Sequence, residues 1–303
     1  MTVGVVLMAY GTPSTRAELP AYYTDIRRGR PPTDEQLAQL AARYDAIALG
    51  DDLSPLTART AAQAAALQAA LDDIEPGGFH VEVGMKHAAP RIEQAVATLV
   101  ERGVDRLVGI VMAPHDSTMS IGEYVVRAAD AAGDVPFAAV RSWATEPAYV
   151  DFLATEVAAG LAAMPANTKV VFTAHSLPQR IVAQGDRYPE ELRSTATAVA
   201  AKLGLDPWSA WAVAWQSAGR TPEPWLGPDI LTVIDTLAGS EAASGILVCA
   251  CGFVADHLEV LYDLDIEARQ RAERLGLAFA RTEALNDEPS VFAALARRIA
   301  QAT

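Results

Sequence analysis

The sequence predicts an α/β protein made of two similar halves, each built on a parallel sheet. Three observations carry that prediction. Short β-branched or wholly apolar runs alternate with Ala- and Leu-rich stretches, the pattern of strands covered on both faces by helices. Pro and Gly punctuate the helical stretches at their starts and ends, as helix termini require. The run VVLMAYGTP at 5–13 is echoed by VVFTAHSLP at 170–178. The units that follow each copy also correspond. VEVGMKH, a helix opened by Pro90 and LVGIVMAPH match WAVAWQS, a helix after Pro228 and ILVCACGF. Such internal similarity reads as two related domains, spanning 1–150 and 151–303 and joined near 145–165. Strictly alternating β and α units imply right-handed crossovers between parallel strands.

Taken in order, Val3–Ala9 is the first apolar strand, and it is about half the length a membrane-spanning helix needs. Thr57–Leu71 is a long Ala-rich helix. The strand His80–Gly84 leads to the helix Arg91–Arg102, which Pro90 opens and Gly103 closes. Leu107–Ala113 and Phe137–Ser142 complete the strands of the first half, and Lys169–Ala174 starts those of the second. Glu190–Leu203 follows Pro189 and stops at Gly204. Trp211–Gln216, Ile246–Cys251 and Leu277–Arg281 are the remaining strands. The closing helix, Pro289–Ala300, either stays with the second half or crosses back to the first.

The chain carries 24 Lys plus Arg against 38 Asp plus Glu, a formal charge of −14. That balance excludes a general nucleic-acid binder and a polybasic membrane-surface protein. No leader or spanning segment is evident. The two cysteines, Cys249 and Cys251, cannot build a disulfide framework or supply four iron–sulfur ligands. They read as small buried residues of a cytoplasmic protein. No GxGxxG, Walker A, HExxH or GxSxG motif occurs.

In parallel-sheet proteins ligands collect at the carboxyl ends of strands. Tyr10, Lys86, His87, His115, His175, Gln216 and the segment 252–259 lie there. Read alone, His175 either caps a turn or faces a ligand. Glu259, Asp263 and Glu267 fall at i, i+4 and i+8, one face of a helix. That row is either a solvated acidic face or a path for a divalent cation or for protons, with His175 and Glu259 suited to Fe²⁺ or a similar first-row metal. Arg27, Arg28 and Arg30 form a dense basic cluster in an acidic chain. It is either a solvated loop or the seat of an anionic ligand. The segment from Trp215 to Pro228 reads as rigid packing.

Together these segments resemble the ferrochelatases, in particular the bacterial coproporphyrin type without a cluster. The resemblance rests on MAYGTP at 8–13, YYTDIRRGRPP at 22–32, RYDAI at 43–47, SPLT at 54–57 and APHDST at 113–118. It continues with AHSLP at 174–178, GDRYP at 185–189, WQSAGRTPEPWLGPD at 215–229 and GFVADHLEVLYD at 252–263. The resemblance implies two Rossmann-like, chelatase-type domains around a porphyrin cleft, with Fe²⁺ inserted and two protons released. By position it makes His175 and Glu259 the catalytic, metal-site pair, with Asp263 and Glu267 continuing a metal or proton path. Tyr10 becomes an axial ligand to product iron. Tyr10, Arg27, Arg43, Tyr44, Ser54 and Tyr124 become porphyrin contacts, with Arg28, Arg30, Lys86 and His87 behind them.

The same resemblance implies coproporphyrin III and Fe²⁺ as substrates, while the cysteine count points to the cytoplasm and the lack of a long exposed heptad or apolar stripe to a monomer. The resemblance implies no resident cofactor, iron–sulfur cluster, nucleic-acid partner or membrane segment, and handoff of product to a downstream heme-pathway enzyme. Residues 48–52 depart from the family as an apparent insertion, bringing two acids near Ser54. The rivals are a protoporphyrin IX ferrochelatase, a cobalt chelatase for another tetrapyrrole, and a tetrapyrrole carrier.

Overall fold

The computed structural model describes residues 1–47, 53–219, 221–240 and 242–303. The insertion at 48–52 lies outside the described residues. The first half runs β1 (Val3–Ala9), α1 (Leu19–Ile26), α2 (Asp34–Ile47), α3 (Leu56–Ile74), β2 (Phe79–Met85), α4 (Ile92–Glu101), β3 (Arg106–Val111), α5 (Ile121–Ala132) and β4 (Phe137–Val140). Helix α6 (Pro147–Ala162) leads into β5 (Thr168–His175), α7 (Arg180–Ala183), α8 (Tyr188–Leu203), β6 (Trp211–Gln216), α9 (Ile230–Gly239) and β7 (Gly245–Cys249). Then come α10 (Leu258–Leu261), a π-helical stretch (Asp263–Ala268), α11 (Arg269–Arg274), β8 (Ala278–Arg281) and α12 (Pro289–Gln301).

Both halves form four-stranded, wholly parallel sheets, in the orders β2-β1-β3-β4 and β6-β5-β7-β8. The second order is the first moved along the chain, so the internal similarity is a repeat of topology. All eight expected strands form, with ends displaced by one or two residues. Every residue of β1 is buried, as its unbroken apolar run requires when helices cover both faces.

Two glycines meet backbone requirements that position the second half. Gly204 closes α8 at φ 64° while Leu205 N–H donates to Ala200 O, satisfying a last-turn carbonyl. A Cβ on Gly252 would lie 2.3 Å from that of Ala174. Only glycine lets the loop after β7 run beside the strand that ends in His175.

The largest core is shared between the halves. Leu67 and Leu71 of α3, Leu153 of α6 and Val291, Phe292 and Leu295 of α12 join residues of both sheets in one buried cluster. Helix α12 packs on α3 and α6. Burying a Leu or Phe side chain stabilises by roughly 1.5–3 kcal/mol, so this cluster fixes the two sheets relative to each other. Among the described residues no helix is long and apolar enough to cross a membrane.

Candidate active site

The central strands β1 and β5 each have neighbours reached by opposite turns of the chain. The crevice at such a switch point is where open parallel sheets bind ligands. Tyr10 directly follows β1, and His175 is the last residue of β5. The repeat therefore places one aromatic side chain at each switch point.

His175 is held on several sides. Its Nδ1 lies 2.5 Å from Ser176 O. A carbonyl only accepts, so Nδ1 carries the hydrogen, and Nε2 is the basic atom of the neutral ring. That Nε2 is 3.4 Å from Glu259 Oε1. Tyr188 Oη donates to the His175 carbonyl at 3.0 Å. Glu259 follows the irregular turn at 252–257 into α10, and Gln216 Nε2 donates to its backbone carbonyl at 2.8 Å. His257 Nε2 lies 3.7 Å from Glu259 Oε2, and its Nδ1 lies 2.9 Å from Ala255 O. Glu259 is thus flanked by two imidazoles.

Burial disfavours a charged His175, but the Glu259 charge and hydrogen bonding outweigh it and raise the imidazole pKa above its ordinary value. Burial likewise opposes a charged Glu259, yet His175 and His257 hold its pKa below the usual carboxylate range. The pair is arranged to store a proton on His175 beside a carboxylate that stays ionised.

Beyond Glu259 the helix widens. Glu267 N–H donates to Tyr262 O, five residues back, at 3.0 Å, the bond of a π-turn, which recurs at functional sites. Glu259, Asp263 and Glu267 all line one cavity of about 360 Å³, together with Arg43, Gln216 and Ser217. The single face expected from i, i+4, i+8 spacing therefore forms, though on a mixed α/π helix. Asp263 pairs with Arg43 at 3.3 Å and accepts from Ser217 Oγ at 2.5 Å. Burial, with Glu259 and Glu267 nearby, nevertheless pushes its pKa up to about 6.

A second cavity, about 280 Å³, has mostly apolar walls, including Met112, Leu177, Phe253 and Val254. His175, His257 and Glu259 line it from the second half; Tyr44, Ser54, Lys86 and Tyr124 line it from the first. Tyr10, Tyr22, Tyr44, Leu258 and Glu259 border both cavities. The spaces are similar in size, so the chemistry of their walls distinguishes them.

Tyr10 is 41 % exposed where it lines the cavities. Its ring lies 4.6 Å from that of His87, whose Nδ1 is 2.7 Å from Asp25 Oδ2; Arg91 holds the same carboxylate at 2.9 Å. Desolvation by the surrounding cleft walls and the Glu259 charge raise the Tyr10 phenol pKa well above its ordinary value, so the free protein keeps it protonated.

The Arg cluster is placed differently. Arg27, Arg28, Arg30 and His87 line neither cavity. Arg27 sits over the Tyr23 ring, and Arg27 and Arg30 each donate to the other's backbone carbonyl. Arg28 pairs with Glu123. His87 braces Tyr10 from behind. The sequence marks Gln216 and His257 by strand-end position alone, without a role for either, and does not single out Ser217 or Tyr188 as site residues. A role for His257 was signalled by its spacing to Glu259, and one for Gln216 by its place at the end of β6. The segment read as packing supplies Trp215 to the core, 5.5 Å from Tyr188, but its next two residues line the acidic cavity.

With this geometry in hand, the ferrochelatase family model matches residues 2–303. Curated relatives agree over nearly full length. The coproporphyrin III ferrochelatase of Geobacillus kaustophilus is 42 % identical over 97 % of this chain and 94 % of its own. That of Bacillus subtilis is 40 % identical over 97 % and 96 %. The chain belongs to the ferrochelatase family. A relative named simply ferrochelatase, from Herpetosiphon aurantiacus, is 40 % identical over 94 % of each chain. Solved structures extend the likeness in fold alone. SirB of Bacillus subtilis with Fe³⁺ aligns with TM-score 0.59 at 12 % identity, covering 100 % of this chain and 96 % of that one. CbiX, described as the terminal enzyme of siroheme biosynthesis in denitrifying bacteria, aligns with TM-score 0.55 at 14 % identity over 99 % of each chain. The two-domain chelatase-type architecture implied by the sequence is the one observed.

Proposed function

We propose that this protein inserts Fe²⁺ into coproporphyrin III to give coproheme. The observation that carries the reading is the basic Nε2 of His175 beside an ionised Glu259, across a cavity border from protonated Tyr10. Insertion exchanges two pyrrole protons for one dication, so the site must accept protons next to a metal path. No redox change is involved and no resident cofactor is needed. The near-full-length coproporphyrin III ferrochelatase relatives support the substrate.

In this reading the porphyrin lies in the apolar-walled cavity, seated by Tyr44, Ser54, Lys86 and Tyr124 from the first half. A macrocycle saddled toward His175 is part-way to the geometry in which its nitrogen lone pairs meet the metal. His175 Nε2 accepts a pyrrole proton, and Glu259 stabilises the imidazolium that results. Asp263 and Glu267 form the onward path for protons or for incoming Fe²⁺. Tyr10, from the opposite domain, ligates the product iron. Arg27, Arg28 and Arg30 lie outside the cavities, where they serve peripheral carboxylates. The buried free thiols Cys249 and Cys251 suit a reducing cytoplasm, in which the protein acts as a monomer and passes product to a downstream heme-pathway enzyme.

An anaerobic assay of Fe²⁺ insertion into coproporphyrin III and protoporphyrin IX, with Co²⁺ and sirohydrochlorin as a third arm, tests the proposal. Fastest turnover with coproporphyrin III is expected. Faster metallation of protoporphyrin IX overturns the substrate, cobalt insertion alone overturns the reaction, and binding without turnover makes the protein a carrier.

A further inference from the structure

At the edge of the apolar-walled cavity, one carboxylate bridges two cations from different parts of the lip. Glu123 Oε2 is 2.5 Å from Lys86 Nζ, and Glu123 Oε1 is 3.0 Å from Arg28 Nη2. Lys86 lines the cavity, and its ammonium sits 5.1 Å from the centre of the Tyr124 ring. Its side chain is only 14 % exposed, against 37 % for Glu123 and 76 % for Arg28. A largely buried ammonium left without a counter-charge is costly, so the empty cleft must provide one.

We infer that Glu123 is a placeholder carboxylate, holding Lys86 and Arg28 until a carboxylate of the porphyrin substrate takes its place. Three features single it out. The other nearby carboxylates are committed elsewhere: Asp25 to His87 and Arg91, and Glu93 to both arms of the Arg127 guanidinium. The Lys86 backbone is pinned, because its carbonyl accepts from Arg91 at 2.5 Å and Arg127 at 2.9 Å. Only the side chain is then left to change partners. Glu123 also lies in the first turn of α5, where the helix dipole keeps a displaced carboxylate favourable.

The exchange replaces one carboxylate with another, so Lys86 is paired before and after. Glu123 thereby competes with the substrate, and lowers affinity for porphyrins whose carboxylates reach this corner. For Arg28, at the lip outside the cavity, the exchange specifies how a peripheral carboxylate is received. The inference rests on the porphyrin reading of the cleft.

The test is a fluorescence-quenching titration of metal-free coproporphyrin III into wild type, Glu123→Gln and Glu123→Gln/Lys86→Met, at low and high salt. Glu123→Gln is expected to bind about five-fold tighter at low salt, the scale of one partly exposed ion pair, with the gain shrinking at high salt. The double variant is expected to lose the gain. Equal or weaker binding by Glu123→Gln overturns the inference and makes Glu123 a brace for the two cations. A gain that survives the loss of Lys86 overturns it too. Wild type that binds no porphyrin overturns the reading of the cleft, and the placeholder with it.

Discussion

The two switch points share a backbone and differ in chemistry. Each lies at the end of a central strand in sheets of the same order. At the first, Tyr10 is flanked by His87, whose own pKa is lowered by burial despite Asp25. At the second, His175 faces Glu259, and the two shift each other toward the charged pair. The repeat supplies two equivalent positions, and the side chains around each decide its chemistry: a protonated phenol at the first and a charged imidazole–carboxylate pair at the second. Proton chemistry requires an anion within a few ångströms. In the second half that anion faces the cavities, because the turn at 252–257 brings Glu259 beside the strand end; in the first, Asp25 is held by His87 and Arg91 and lines neither cavity.

The largest effect is expected where that asymmetry is removed. His175→Ala should cost about 10³-fold in turnover, within the span attributed to a positioned general base, while porphyrin binding by fluorescence titration changes little. Near-normal turnover would show that the second switch point is no more basic than the first.

Glu259→Gln comes next, with an expected loss of about 10²-fold in kcat/KM. It also changes the pH profile. With the imidazole pKa raised by Glu259, the fraction of neutral His175 grows as pH climbs through a value above 6.5, and kcat/KM rises with it. Removing the Glu259 charge should move that rising limb to lower pH. A limb that stays in place would assign it to another group.

Tyr10→Phe should change turnover less, because the phenol is protonated and distant from proton acceptance in this reading. Its signature is the absorption spectrum of ferric coproheme added to the protein, which should shift when the oxygen ligand is lost. An unchanged spectrum would leave the first switch point without a role at the metal.

The smallest effect is on stability. The folded chain holds a proton on Asp263 up to about pH 6, against an ordinary carboxyl value of 3.8. The stabilisation from that tighter protonation is present at low pH and fades as pH rises from about 4 through about 6. Asp263→Asn should lose this segment of the pH dependence in urea unfolding midpoints. The paired charges of His175 and Glu259 run differently. The histidine's share fades as pH rises through its raised pKa, and the glutamate's share fades as pH falls through its lowered one.

Much of this was legible in one dimension. Apolar runs bounded by Gly and Pro marked all eight strands, because strands buried on both faces must be continuously apolar. The echo between 5–13 and 170–178 foretold two sheets of one order, since repeated topology needs repeated patterning. His175, Glu259, Asp263 and Glu267 were visible because strand ends and helical spacing are local properties. The basic cluster at 27–30 shows the limit: charge density is visible in sequence, but the direction of an exposed side chain is not. Arg27 and Arg30 satisfy each other's backbone, and Arg28 turns to Glu123.

Other features depend on contacts between distant residues. That Gln216 anchors the Glu259 carbonyl, that Ser217 meets Asp263 and that Tyr188 reaches the His175 carbonyl are pairings made when β6, α8 and the loop after β7 pack together. The tautomer of His175 depends on the carbonyl its Nδ1 meets, and the widening of the acidic helix shows only in its hydrogen bonds. Residue types and periods therefore marked the strands, the motifs marked the family, and strand ends and helical spacing marked the candidate side chains. Folding settled the pKa values, the division into an acidic and an apolar-walled cavity, and the carboxylate that guards Lys86. These arise from burial and from charges brought within a few ångströms across tens of residues, which no local pattern encodes.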